Sequence, residues 1–323
     1  MQKIAVLTSG GDAPGMNAAI RAIVRAGLAA GWQVFGVQNG FAGLVGGDMR
    51  RLSSRDVGGV MRQGGTFLGS ARSEEFRQRW GREQSLDHLR SQEIDALIVI
   101  GGNGSQTGGH ALLEMDFPVV GVSSTIDNDL EGTDITIGAD TAINVALEAI
   151  DRLKVTAASH RRAFLVETMG RDCGYLALMA GLAGGAEVVS IPERDLSPQE
   201  IAAGLHDAYA RGKSHALAVV AEGAQHTAEE LVRYFNEHRH ETGFNLRVTV
   251  LGHVQRGATP TASDRVLASR LGSGAVTALQ EGRIGVLVGL HGDHVGFTPL
   301  DRVAGRTKLV DLDALPFARV MAR

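Results

Sequence analysis

The chain has 323 residues, 44% of them hydrophobic, and a formal net charge of −4, so it can bury a sizeable core and does not have the basic balance of a dedicated nucleic-acid binder. Its single cysteine, Cys173, excludes an internal disulfide framework and reads as a small buried apolar residue in a reducing compartment. No apolar run approaches the roughly 18–20 residues that span a bilayer, and Met1-Gln2-Lys3 leads straight into a strand, which predicts a soluble, cytoplasmic protein without membrane contact.

In chain order, short apolar runs predict strands at 4–7, 34–37, 96–100, 119–122, 163–167, 188–191, 216–221, 247–251 and 286–290. Helical spacing fills the gaps, as in Ile20, Ile23, Val24 and Leu28, and a long helix covers 140–154. Ser197-Pro198-Gln199-Glu200 and Thr227-Ala228-Glu229-Glu230 read as capping boxes that start two later helices. Strands that are continuously apolar are buried on both faces, so the fold class is α/β with mainly parallel sheets flanked by helices. The length and a break near 138–160 suggest two domains, with the chain crossing back near its C-terminus.

Glycine, at 43 residues, is about twice its usual share of roughly 7%. The glycines gather at the ends of apolar runs, where a tight turn lets the backbone approach a ligand. Three such turns stand out. Thr8–Asn17 follows the first strand but lacks both the P-loop lysine and the dinucleotide fingerprint. Gly101-Gly102-Asn103-Gly104-Ser105 follows another strand, and Ser105 is placed to cap the next helix, whose N–H groups would then face an anion. The third, Ser123-Ser124-Thr125-Ile126-Asp127-Asn128-Asp129, presents two carboxylates at a strand end, one suited to accept a proton and one to hold hydrated Mg²⁺. Taken alone, those two aspartates read equally well as ordinary turn residues. Together the three turns point to a polyphosphate site.

Cations stand at further strand ends: His160-Arg161-Arg162, Met169-Gly170-Arg171, Arg247, and His253 with Arg256. Arginine captures phosphate bidentately. Glu222, just after a strand, is an acceptor for sugar hydroxyls. Taken singly, each of these reads as a surface ion pair, and the pair Arg21 and Arg25 as a solvated helix face.

Jointly, Thr8–Asn17, Gly64-Gly65-Thr66-Phe67-Leu68-Gly69-Ser70-Ala71-Arg72, Thr125–Asp129, Met169–Arg171 and Leu251–Gly257 resemble the motifs of bacterial ATP-dependent 6-phosphofructokinases over nearly the whole chain. The resemblance implies two α/β domains with the active site in the cleft between them, a homotetramer, and glycolytic transfer of the ATP γ-phosphoryl to the 1-hydroxyl of fructose 6-phosphate with Mg²⁺. On that reading 1–138 is the larger, nucleotide-binding domain, to which 252–305 returns, 139–251 binds the sugar phosphate, and 306–323 is a C-terminal helix. Asp127 matches the catalytic base, and Thr125 and Arg171 match residues beside the transferring phosphoryl. Gly11, Arg72, Ser73, Gly102, Asn103, Gly104 and Ser105 match the ATP site. Arg162, Met169, Gly170, Glu222, Arg247, His253 and Arg256 match the sugar-phosphate site, with Arg162 and Arg247 reaching a neighbouring subunit. Arg21, Arg25, Glu187, Arg211, Lys213 and His215 match a site for activating ADP and inhibitory phosphoenolpyruvate, at which Lys154 and Gly185 also fall.

The chain also departs from the family pattern. Asn103 replaces an aspartate associated with Mg²⁺, which shifts the metal's dependence towards Asp129 and the nucleotide, with Asn103 acting at most through water. Ser124 stands where ATP users carry glycine and pyrophosphate users lysine, while Gly104 is kept, which favours ATP. Ser54 and Lys154 replace effector-site arginines, which predicts weakened or altered allosteric control. The alternatives are a weakly active regulatory nucleotide-binding paralogue, a pyrophosphate-using phosphofructokinase and, more distantly, a dinucleotide-dependent dehydrogenase.

Overall fold

Strands form at every predicted apolar run. In the computed structural model, which describes residues 1–160, 163–242 and 246–322, they are β1 (Lys3–Thr8), β2 (Gln33–Val37), β3 (Met49–Leu52), β4 (Ala96–Gly101), β5 (Val119–Thr125), β6 (Ile137–Gly138), β7 (Ala163–Thr168), β8 (Val188–Ser190), β9 (Ala216–Ala221), β10 (Leu246–Val250), β11 (Val286–His291) and β12 (His294–Pro299). The chain divides into two units, Met1–Thr141 with Arg256–Lys308, and Ala142–Gln255 with Leu309–Arg323.

The first unit carries a sheet of order β12-β11-β5-β4-β1-β2-β3, with β6 paired to the end of β5. Its middle strands run parallel, and the outermost, β3 and β12, run antiparallel to their neighbours. On one face Ala5, Leu7, Leu97 and Val99 pack with Phe41, Leu86, Leu89 and Leu112, and the rings of Phe41 and Phe76 stack at 4.0 Å. On the other lie the helices Met16–Ala29 and Ala262–Gln280, which pack on one another. Burial on both faces is what makes these strands continuously apolar.

The second unit has a parallel sheet of order β10-β7-β9-β8. Helices Pro198–Ala210 and Ala228–Glu237 cover one face through Ile201, Leu205, Leu231 and Phe235. Both begin in the capping boxes that the sequence predicts, with Ser197 and Thr227 accepting from the N–H groups of Glu200 and Glu230 at 3.3 Å. The other face packs against Ala139–His160, Tyr175–Ala183 and Ala314–Met321. This last helix starts later than 306, because Pro316 has no N–H and fits a helix only in its first turn. Among the described residues no helix is long and apolar enough to cross a membrane.

Candidate active site

The register of the first sheet sets the carboxyl ends of β1, β4 and β5 side by side, with Thr8 opposite Ile100 and Gly101 opposite Ser123. In an open α/β sheet this is the end at which ligands bind. The three turns singled out in the sequence are therefore neighbours.

Side chains from distant segments fix the first turn. Asn17, buried on the helix Met16–Ala29, donates to the carbonyls of Gln63 and Gly64 at 3.1 and 3.2 Å and accepts from Phe67 N at 2.8 Å. Thr8 Oγ1 donates to Gly69 O at 2.9 Å, and Ser70 Oγ donates to Gly10 O at 2.5 Å. These bonds tie the 63–70 loop, which leads to the exposed Arg72, onto the end of β1. Arg256, 8% exposed, lies along the same turn and donates to Asp12 O at 3.0 Å. A Cβ on Gly11 would overlap its guanidinium, so a larger residue there would have to displace Arg256. Ser73, assigned by resemblance to ATP, caps the short helix Glu74–Arg77 and accepts from Phe76 N at 3.1 Å.

The second turn corrects one expectation. Ser105 does not cap the helix Asn103–Leu113; Gly102 holds the N-cap position and its carbonyl accepts from Gln106 N at 3.0 Å. The helix starts earlier than expected because the glycine leaves the strand in extended geometry, so Ser105 falls within its first turn. No side chain caps this N-terminus, which suits it to an anion. Gly104 is exposed, and a Cβ there would meet nothing within 4 Å. Gln106 is fully buried and donates to Val99, Gly101 and Val122 carbonyls at 3.3, 2.9 and 3.2 Å, joining β4, β5 and the turn. Its amide passes so close to Gly121 that any side chain there would overlap it.

In the third turn Asp127 is 3% exposed, and its N–H donates to Thr125 Oγ1 at 3.2 Å. Asn128 is 2% exposed with φ of 51°, a left-handed conformation that turns the chain between the two aspartates. Asn103 Nδ2 donates to Asp129 Oδ2 at 2.9 Å, while the buried Asn103 Oδ1 finds no hydrogen-bond partner among the described residues. Ser124 is buried and donates to Ile137 O at 3.3 Å. From below, Asp264 accepts from Gly138 N and Thr141 N, both at 2.8 Å, and from Thr141 Oγ1 at 2.5 Å. Burial pushes the Asp264 carboxyl above its usual value, and these bonds only partly offset that.

In the second unit Glu222 Oε1 accepts from the N–H groups of Gly170 and Arg171 at 3.2 and 2.9 Å, which shapes the Met169-Gly170-Arg171 turn. Arg171 is exposed, with φ of 51°. Gln255, fully buried and not singled out from sequence, accepts from Met169 N at 2.8 Å and donates to Ala142 O at 3.3 Å. Arg247 and His253 are exposed, and Arg162 lies outside the described residues.

The matched effector residues fall in both units. Arg21 and Arg25 are on the helix Met16–Ala29 of the first. In the second, Lys154 donates to Gly184 O at 2.6 Å, next to Gly185, and Arg211 pairs with Asp207 at 3.2 Å. Glu187 accepts from Lys213 Nζ and Leu217 N, both at 2.7 Å, and Lys213 also donates to Ala322 O. His215 Nδ1 lies 3.3 Å from Ser214 Oγ.

Residues 3–279 match the family described as Phosphofructokinase. An ATP-dependent 6-phosphofructokinase 1 from Thermus thermophilus is 50% identical over the whole of both chains, and an ATP-dependent 6-phosphofructokinase from Brevibacillus brevis is 47% identical over the whole of both. The structure of phosphofructokinase from Saccharomyces cerevisiae superposes with a TM-score of 0.85 at 41% identity, covering 94% of this chain and 45% of the yeast chain. This chain thus spans less than half the length of that yeast chain.

Proposed function

From membership of the phosphofructokinase family, to which this chain belongs, we infer that it is a glycolytic phosphotransferase that moves the γ-phosphoryl of ATP to the 1-hydroxyl of fructose 6-phosphate. The observation that carries the chemistry is the buried Asp127 at the end of β5, beside the uncapped helix N-terminus at Gly102. Phosphoryl transfer asks the protein mainly for positioning and charge neutralisation, with a carboxylate to take the hydroxyl proton. Asp127 is that base. Thr125 and Arg171 flank the phosphoryl in transit, and Arg72 adds charge. Gly11, Gly102, Asn103 and Gly104 supply backbone donors to the nucleotide, and Ser105, whose N–H donates to Gly102 O at 3.0 Å, completes the loop.

Met169, Gly170, Glu222, Arg247, His253 and Arg256, with Arg162, bind the sugar phosphate. Glu222 does so partly by holding the N–H groups of Gly170 and Arg171 in place. The enzyme works as a cytoplasmic homotetramer, in which Arg162 and Arg247 serve a neighbouring subunit's site.

Mg²⁺ accompanies the ATP. Among the described residues no group of three or more His, Cys, Asp or Glu side chains that could hold a metal comes together, and a Mg²⁺ held here by one protein carboxylate would complete its shell with triphosphate oxygens and water. The donors present fit such an ion: Asp129 offers a carboxylate, and the partnerless Asn103 Oδ1 offers a carbonyl-type oxygen to metal-bound water. When bound, the ion spreads the charge of the phosphate oxygens.

A steady-state assay with fructose 6-phosphate and either ATP or pyrophosphate tests the donor. ATP-dependent turnover is expected, in keeping with the open Gly104 and with a Ser124 hydroxyl turned towards Ile137. Turnover mainly with pyrophosphate would overturn that assignment.

A further inference from the structure

We propose that Lys308 is a positioning residue for the reaction, acting as a clamp on the loop that carries Asp127 and Asp129. It lies far along the chain from that loop, yet is bonded to it from both its backbone and its side chain. Its N–H donates to Asp129 O at 2.8 Å. Its ammonium donates to Asn128 Oδ1 at 3.1 Å and to the carbonyls of Thr133 and Asp134, both at 3.0 Å. Three acceptors match the three donors of a lysine ammonium.

The clamp meets the loop at its most strained point. Asn128 sits between the two aspartates with φ of 51°, a region costly for a residue with a Cβ and kept only where the surroundings fix it. Its Oδ1 accepts from Thr136 N at 3.0 Å as well as from Lys308, and its Nδ2 donates to Asp134 O at 3.3 Å. The far end of the loop is held independently: Asp134 N donates to Leu290 O at 2.8 Å, and Leu290 N donates to Thr133 Oγ1 at 2.9 Å. Without the ammonium, Asn128 Oδ1 and two loop carbonyls lose a charged donor, and the loop can relax where it presents Asp127. A displacement of about 1 Å at a reacting group can cost on the order of 100-fold in rate. Binding of the sugar phosphate depends on other residues and should persist.

This inference rests on Asp127 being the base, which Asp127→Ser tests separately. Turnover retained in D127S would remove the base assignment, whatever Lys308 does. The test of the clamp compares kcat, KM for fructose 6-phosphate and melting temperature in K308M, K308A and N128G. Glycine at 128 keeps the left-handed backbone and removes only the side-chain bonds.

The expected result for K308M and N128G is a fall in kcat of about tenfold or more with KM changed less than about threefold. The double variant should be slower than either single one by less than the product of the two losses, because the two side chains share the Lys308–Asn128 contact and each also makes bonds of its own. Added ethylammonium should restore kcat in K308A. Values of kcat within twofold of the parent, multiplicative losses in the double variant, or a loss that ethylammonium leaves unchanged would each overturn the clamp. If K308M fails to fold, N128G and the rescue of K308A carry the same test.

Discussion

Asn103 Nδ2 donates to Asp129 Oδ2 at 2.9 Å and to the Asp129 carbonyl at 3.1 Å, so a neutral amide engages the carboxylate proposed to meet the metal. An aspartate at 103 could not make this bond while ionised. It would face Asp129 as a like charge, and a divalent cation would relieve the repulsion.

Replacing Asn103 by Asp is therefore expected to lower the Mg²⁺ concentration for half-maximal activity by severalfold. It should also make the melting temperature more responsive to Mg²⁺ than that of the parent. Titration of Mg²⁺ at fixed ATP, with parallel melts, checks both. An unchanged Mg²⁺ dependence would remove Asn103 from any role at the ion.

Asp127→Ser removes the proposed proton acceptor while keeping a small polar side chain. General-base catalysis is worth roughly 10²- to 10⁴-fold, so kcat should fall by about that much while fructose 6-phosphate still binds. Equilibrium binding of the sugar phosphate, measured beside turnover, separates the two effects. Near-parental turnover would take the base role from Asp127.

Glu222 Oε1 holds two N–H groups of the 169–171 turn, and hydrogen bonds to a charged group contribute about 1.5–3 kcal/mol each. Glu222→Gln keeps an acceptor oxygen and should raise the KM for fructose 6-phosphate only modestly. Glu222→Ala should raise it much further and lower the melting temperature. Equal behaviour of the two variants would mean that the charge matters, and not the anchored turn.

Asp264 is held above the usual carboxylate value of 3.8 chiefly by burial. A raised folded-state value means that the folded protein binds this proton more tightly than the unfolded chain. The resulting stabilisation is complete below 3.8 and is lost as pH rises through the folded value. Urea unfolding of the parent and of Asp264→Asn across that window should show the parent losing stability relative to the variant as pH rises. The opposite slope would contradict the assignment.

Allosteric control should be shallow. On the family resemblance Ser54 and Lys154 fall where arginine is usual, and Glu187 is already satisfied by Lys213 and Leu217. Phosphoenolpyruvate is expected to shift half-saturation by fructose 6-phosphate less than about fivefold, the low end of ordinary coupling. A strongly sigmoidal, larger shift would show that the substitutions are compensated.

The strands of both sheets' interiors are legible in the sequence because burial on two faces leaves an unbroken apolar run. The edge strands β3 and β12 are not. β3 carries Arg50 and Arg51, and β12 is only half-buried, as strands covered on one side are. The glycine turns and Asp127 are legible as ligand-type loops, but what braces them is not. Gln255, Gln106, Asp264 and Lys308 act through side-chain bonds to backbone, several of them from far along the chain, and such bonds leave no local period. Asn17 left one faint sign, a polar residue on the buried stripe of Ile20 and Val24. The cap at Ser105 was misplaced because serine is the stronger N-cap by type, whereas geometry gives that position to Gly102.

The discontinuity of the first unit bears on how the protein is made. β5 borders β11, whose residues leave the ribosome after the whole 142–255 segment. Until then a nascent chain carries β5 as an open edge with apolar side chains on both faces, a template for wrong pairing. The segment 142–255 brings its own four strands and can begin to condense meanwhile. Slow translation through 256–308 should therefore favour aggregation, and chaperone dependence should centre on the interval before β11 is added.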